Sequence, residues 1–207
     1  SLGLQFWRSF THFIGGMGII VFSIAILPLL GIGGVQLFRA EVAGPVAEKI
    51  TPRVKQTAKL LWGIYVGLVL FLTIVLKLEG FTWHQSLCHS FGTLATGGFS
   101  TFDNSLLLTN FDGSLGVQAS TNIMLVQWTF IVFMFIAATN FTLHYYFISK
   151  KRFDYFKDEE FKNYLFIFIS ATLIIFLNIL FSNTNHSVFK SFTDSTFTTI
   201  SILTTTG

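Results

Sequence analysis

Two clusters of hydroxyl and glycine residues carry the clearest chemical potential in this 207-residue chain. The first is the stretch from Phe81 to Leu94, followed by Ala95-Thr96-Gly97-Gly98-Phe99-Ser100-Thr101. The second is residues 191 to 206, with ten Ser or Thr among sixteen, and it closes as Thr204-Thr205-Thr206-Gly207. Setting Gly98 over Gly207, an offset of 109, also aligns Leu94 with Leu203, Thr96 with Thr205 and Ser90 with Thr199. Such segments offer main-chain oxygen. Glycine permits backbone conformations that turn carbonyls toward an axis, and rings of carbonyls can replace an ion's hydration shell. Coordination by oxygen alone, with no carboxylate, suits an alkali cation. The candidate ligands are Ala95, Thr96, Gly97 and Gly98 in one copy and Thr204, Thr205, Thr206 and Gly207 in the other. Threonine hydroxyls are expected to hold neighbouring strands, and Phe99 to pack its strand from behind. A lone Thr-Gly-Gly would read as an external turn; the second copy in the same context favours the carbonyl site.

Irregular backbone at membrane depth survives only where protein buries it or it lines a water-filled cavity, so the elements around it must be spans. The composition agrees: 52% hydrophobic, 11% charged and 26 Phe, against about 25% charged for a soluble domain. Four uncharged runs, Phe13 to Leu30, Leu60 to Leu76, Ile123 to Phe147 and Tyr164 to Phe181, are each read as a transmembrane helix. They lack the alternation of barrel strands. The fold class is therefore all-α and polytopic, repeating span, short re-entrant pore helix, Thr-Gly segment, span. Pro28 should bend or stop the first span, while Gly15, Gly16 and Gly18, with Gly63 and Gly67 on the second, should allow close helix contact. Arg39, Lys49, Arg53, Lys55 and Lys59 lie in one loop, and Lys150, Lys151, Arg152, Lys157 and Lys162 in another. Both loops read as cytoplasmic by the positive-inside rule. Residues 78 to 149 hold no Lys or Arg, so the Thr-Gly segments face outward.

Other chemistry is less well supported. Charge gathered in loops reads as membrane orientation and not as a nucleic-acid footprint. Cys88 stands alone, without a disulfide framework or a multi-Cys metal site. His84 and His89 are five apart, a poor spacing for a shared metal. His12 and His144, near opposite ends of spans, make a b-type haem protein the rival from another class. Asn140 and Asn178 read as helix-bridging residues, Asp103 and Asp112 as solvated loop residues, and Asn185-His186-Ser187 as a chance sequon. No nucleophile and base constellation or phosphate loop appears, which excludes an enzyme. A secondary transporter with another substrate is a closer alternative, but its breaks would fall inside spans and not between them. A non-transporting scaffold would ignore changes in the Thr-Gly segments.

Four stretches together carry a family resemblance. Leu94 to Thr101, Gly15-Gly16-Met17-Gly18-Ile19-Ile20, Leu27-Pro28 through Gly33-Gly34-Val35-Gln36-Leu37-Phe38-Arg39-Ala40-Glu41, and Asn140-Phe141-Thr142-Leu143-His144 are similar to the TrkH/TrkG-type membrane subunits of bacterial Trk potassium uptake systems, in the Trk/Ktr/HKT superfamily. The likeness covers nearly the whole chain. It implies four membrane-pore-membrane repeats around one pore, with filter glycines at Gly98 and Gly207. Residues 1–59 would then hold the second helix of the first repeat plus a cytoplasmic loop, 60–162 the complete second repeat with its filter near 95–99, and 163–207 the third repeat up to its filter. The chain is expected to be a piece of a longer protein, with an aromatic residue at position 208 and another pore helix upstream of Ser1. The resemblance further implies the bacterial cytoplasmic membrane and its lipid, potassium as the transported ion with no cofactor, a homodimer, and a cytoplasmic nucleotide-binding regulatory subunit, TrkA.

Overall fold

The computed structural model describes residues 1–18, 54–102, 122–151, 154–182 and 187–206. Among them every regular element is helical. Helix α1 (Leu2–Phe13) widens into a π-helical turn, Ile14–Gly18. It is followed by α2 (Val54–Leu78), α3 (Trp83–Leu94), α4 (Ile123–Ala138), α5 (Phe141–Lys150), a 3-10 turn (Tyr155–Lys157), α6 (Glu159–Phe181) and α7 (Val188–Leu203). At 1.5 Å per residue, α2 and α6 are long enough for a hydrocarbon core of about 30 Å. The 12 residues of α3 reach only part of the way.

Burial on α2 shows how an apolar helix chooses a side. Leu61, Tyr65, Val69, Leu72 and Leu76, spaced by three or four, are buried, whereas Leu70, Phe71, Ile74 and Leu78 point outward. The outward face is as apolar as the inward one, the pattern of a helix with lipid on one side. Helix α3 packs against α2 and α1, and α7 against α6 and α4. Each short helix is thus held between a preceding span and the helix that ends the repeat before it. Phe6, Phe10 and Phe13, one face of α1, converge on Phe91 of α3 with ring centroids 4.7 to 6.2 Å apart.

All four expected spans differ from the structure, the second by starting at Val54, six residues before Leu60, and ending at Leu78. The first helix begins at Leu2, eleven residues before Phe13, because Arg8 and His12 are accommodated on a protein-facing side and do not mark an end. The fourth begins at Glu159, five residues before Tyr164. There Asp158 caps the helix by accepting from the Phe161 N–H at 2.7 Å, and Glu159 and Glu160 complement the positive end of the helix dipole.

The third expected span is not continuous: it breaks at Thr139 and Asn140 between α4 and α5. The carbonyls at the break find other donors. Thr139 Oγ1 donates to Phe135 O at 2.9 Å, and Ile136 O accepts from the Thr139 N–H at 3.1 Å and from His144 Nε2 at 3.0 Å. That imidazole nitrogen faces a carbonyl, so it carries the proton, leaving Nδ1 to accept from Tyr155 Oη at 2.8 Å. Asn140 Nδ2 reaches Glu160 Oε2 at 3.4 Å and links the break to α6, the helix-bridging use expected of it.

A Cβ at Gly63 or Gly67 would meet no atom within 4 Å among the described residues; the close contact expected of the glycines occurs at Gly16. Pro28, Arg39, Lys49, Asp103, Asp112, Asn185 and Gly207 lie outside the described residues.

Candidate functional site

The two Thr-Gly segments leave their helices in the same way. Thr82 starts α3 with a reciprocal cap, accepting from the Gln85 N–H while Gln85 Oε1 accepts from the Thr82 N–H at 3.0 Å. Ser187 caps α7 through the Lys190 N–H. At the other end the 109-residue register is repeated bond for bond. Ala95 N–H donates to Phe91 O at 3.1 Å, and Thr204 N–H to Ile200 O at 2.9 Å. Thr96 donates to Thr93 O at 3.2 Å, and Thr205 to Ile202 O at 3.1 Å. Gly97 donates to Gly92 O at 2.7 Å, and Thr206 to Ser201 O at 2.9 Å. Even the bonds inside the helices correspond: Ser90 Oγ to Ser86 O and Thr199 Oγ1 to Ser195 O, both 2.7 Å.

This six-to-one closure turns a helix end into an extended strand, and it requires one residue in the left-handed region. Thr96 and Thr205 occupy that position with φ of 51° and 57°. A β-branched residue there is a genuine outlier, and such strain, on the order of 1–3 kcal/mol, gathers at functional sites. Gly98 follows with φ 73°. Its conformation is therefore one that glycine adopts freely.

A cavity of about 40 Å³ is lined by Gly98, Phe99 and Ser100 from the first segment, by Phe197 and Thr206 from the second, and by His89, Phe130 and Met134. The C-terminal ends of α3 and α7, where helix dipoles are negative, lead into these segments. A cation in the cavity would be favoured by both dipoles and by backbone oxygen. Gly92 lets the loop fold back closely, since a Cβ there would lie 3.2 Å from Phe99 O.

Behind the first segment stands His89, 3% exposed, whose Nε2 lies 2.9 Å from Thr101 Oγ1 and whose ring is enclosed by Phe81, Phe102 and Phe130. In front of it, Gly16 of the π turn would place a Cβ 3.0 Å from Ala95 Cα. Tyr65 Oη donates to Phe13 O at 3.2 Å beside this contact.

Ala95, Thr96, Gly97 and Gly98 thus form one continuous loop, and Thr204, Thr205 and Thr206 its counterpart. Ala95 and Thr204, both at φ −87° and ψ 0°, finish the helices, so the extended backbone begins one to two residues later than the sequence suggested. Phe99 does not lie buried behind its strand. It is 55% exposed, with Arg8 Cζ 3.6 Å from its ring centroid and His12 stacked at 5.2 Å. Among the described residues, Thr204 Oγ1 lies 2.7 Å from Thr206 Oγ1 within one segment. The imidazoles considered for haem are otherwise engaged, His144 at the helix break and His12 against this loop. Arg8 escaped the sequence reading, and His12 and His89 entered it only as haem or metal candidates, not as neighbours of this loop. The available signal was polar residues at helical spacing in otherwise apolar or hydroxyl-rich runs.

The family model described as TrkH, cation transport protein, matches residues 1–207. The Trk system potassium uptake protein TrkH of Vibrio parahaemolyticus is 42% identical over 208 residues, covering 99% of this chain and 40% of that protein. The TrkH of Escherichia coli K12 is 36% identical, with 99% and 40% covered, and its TrkG is 33% identical, with 98% and 39% covered. The crystal structure of the potassium transporter TrkH from Vibrio parahaemolyticus superposes with a TM-score of 0.72 at 35% identity, covering 97% of this chain and 38% of that one. The chain spans about 40% of the length of these relatives.

Proposed function

The chain belongs to the TrkH cation transport protein family, and from that premise we propose that it forms part of a pore for potassium uptake across the bacterial inner membrane, with the Thr-Gly segments as two of its filter strands. The observation that carries this reading is the matched pair of left-handed threonines, Thr96 and Thr205, each ending a short helix and each followed by a residue, Gly98 or Thr206, that lines one cavity. The closing bonds alone are a common way for a helix to end; what sets these two apart is that a β-branched residue holds the left-handed position in both copies. The ligands proposed are the carbonyls of Ala95, Thr96, Gly97 and Gly98 and those of Thr204, Thr205, Thr206 and Gly207, and four such strands would replace the ion's hydration shell.

The family relationship also supports a homodimer in membrane lipid and a TrkA-type nucleotide-binding subunit on the cytoplasmic side. The break between α4 and α5 lies inside a span, the mark of a secondary transporter. It does not interrupt either Thr-Gly segment, and its polar groups are satisfied locally by Thr139 and His144. Radiolabelled rubidium uptake into vesicles holding the complete protein tests the proposal. Uptake competed by potassium far better than by sodium is expected; equal competition by sodium overturns it.

A further inference from the structure

One face of α1 follows the first filter segment residue by residue, in reverse. Gln5 Nε2 donates to Thr101 O at 3.4 Å. Arg8 lies over the Phe99 ring, at 3.6 Å. His12 stacks on Phe99 at an interplanar angle of 11° and covers Gly97. Gly16 touches Ala95. Positions 5, 8, 12 and 16 form a single stripe on a helix, and their partners 101, 99, 97 and 95 descend by twos along the extended loop.

The Gly97 contact is the tightest of these. A Cβ at Gly97 would fall 2.6 Å from His12 Nδ1 and 2.7 Å from His12 Cγ. Unlike Gly98, Gly97 is not among the residues with positive φ, and the three atoms nearest an added Cβ all belong to His12, two in the imidazole and the third its own Cβ at 3.1 Å. His12 Nδ1 is enclosed, with no hydrogen-bond partner among the described residues. The ring is therefore held here by packing against the loop.

We propose that α1 is the template of the second-repeat filter, and that His12, braced with Arg8 against Phe99, is a positioning residue whose imidazole sets the path of the Gly97 backbone and thereby the discrimination between cations. This rests on the filter reading above. The imidazole occupies the volume that any residue larger than glycine would claim, so His12 and Gly97 are energetically coupled. Residues in contact are not additive when both are changed.

The test uses the complete transporter in vesicles, comparing wild type, His12→Ala, Gly97→Ala and the double variant. Rubidium over sodium discrimination, maximal uptake and the amount of protein in the membrane are each measured. Gly97→Ala is expected to lower discrimination about tenfold and His12→Ala about threefold. The double variant should recover most of the way to the level of His12→Ala, because the two contacts under 3 Å go with the imidazole and the remaining His12 Cβ, 3.1 Å from the added methyl, has only a few tenths of an ångström to give. A double variant as impaired as the product of the two single effects overturns the template while leaving the filter reading in place. Wild-type discrimination in all variants overturns both. If Gly97→Ala does not accumulate, accumulation becomes the readout: recovery on adding His12→Ala supports the coupling, and equal loss refutes it.

Discussion

Thr96 and Thr205 stand 109 residues apart and hold one backbone conformation, φ 51° and 57°, at the ends of two helices that share no side-chain pattern in their first turns. Because neither position is glycine, the conformation is imposed by the closing bonds on either side. Thr96→Gly should therefore leave stability within about 1 kcal/mol of wild type, strain relief offsetting chain entropy. Thr96→Pro lacks the N–H that donates to Thr93 O and cannot reach a positive φ, and should cost about 3 kcal/mol or more. Thermal unfolding of the detergent-solubilised complete protein measures both.

Gly98 is held at φ 73° on the cavity wall. Gly98→Ser should insert normally yet weaken potassium over sodium discrimination in rubidium flux, by about tenfold for a loss near 1.4 kcal/mol. Retention of wild-type selectivity would make the segment a turn.

Topology follows from the unequal charges of the loops. Cysteines at Lys49 and Asn110 should label from opposite sides with an impermeant reagent, Asn110→Cys from outside and Lys49→Cys only from inside. The native Cys88 is 1% exposed and gives little background. Labelling of both from outside intact cells would overturn the orientation, and with it the pore assignment.

The Tyr155 phenol outside the spans is pushed up from its ordinary value by burial, so it keeps the proton it donates to His144 Nδ1. A raised value means the folded state holds this proton more tightly. The contribution is complete below the unfolded value of about 10 and is lost as pH rises beyond it. Melting temperature should be flat with respect to this group from pH 6 to about 9 and fall more steeply above about 10 in wild type than in Tyr155→Phe. The substitution itself should cost about 1 kcal/mol at neutral pH.

Spans, short helices and the 109-residue register were legible because they are properties of hydropathy, length and short-range spacing. The same signals hid the break at Thr139 and Asn140: the run stays apolar across it, and the bonds that make the interruption tolerable come from Thr139 itself and from His144, eight residues on from Ile136. Gly97 and Gly98 were legible as a pair but not in their separate reasons. Gly98 answers to its own dihedral angle, which local sequence can suggest. Gly97 answers to a histidine 85 positions away, which no local pattern contains.

Helix α7 is 16 residues long and α3 only 12, and in the 109-residue register the whole difference lies at the N-terminal ends. A helix lengthened at its start keeps the azimuth of its last turn, whereas one lengthened at its end would swing the following strand by about 100° per residue. The duplicated units behave like rulers aligned at one edge. The extra turn at the start of α7 therefore displaces the cap at Ser187 and leaves the register of the strand that follows Thr204 unchanged.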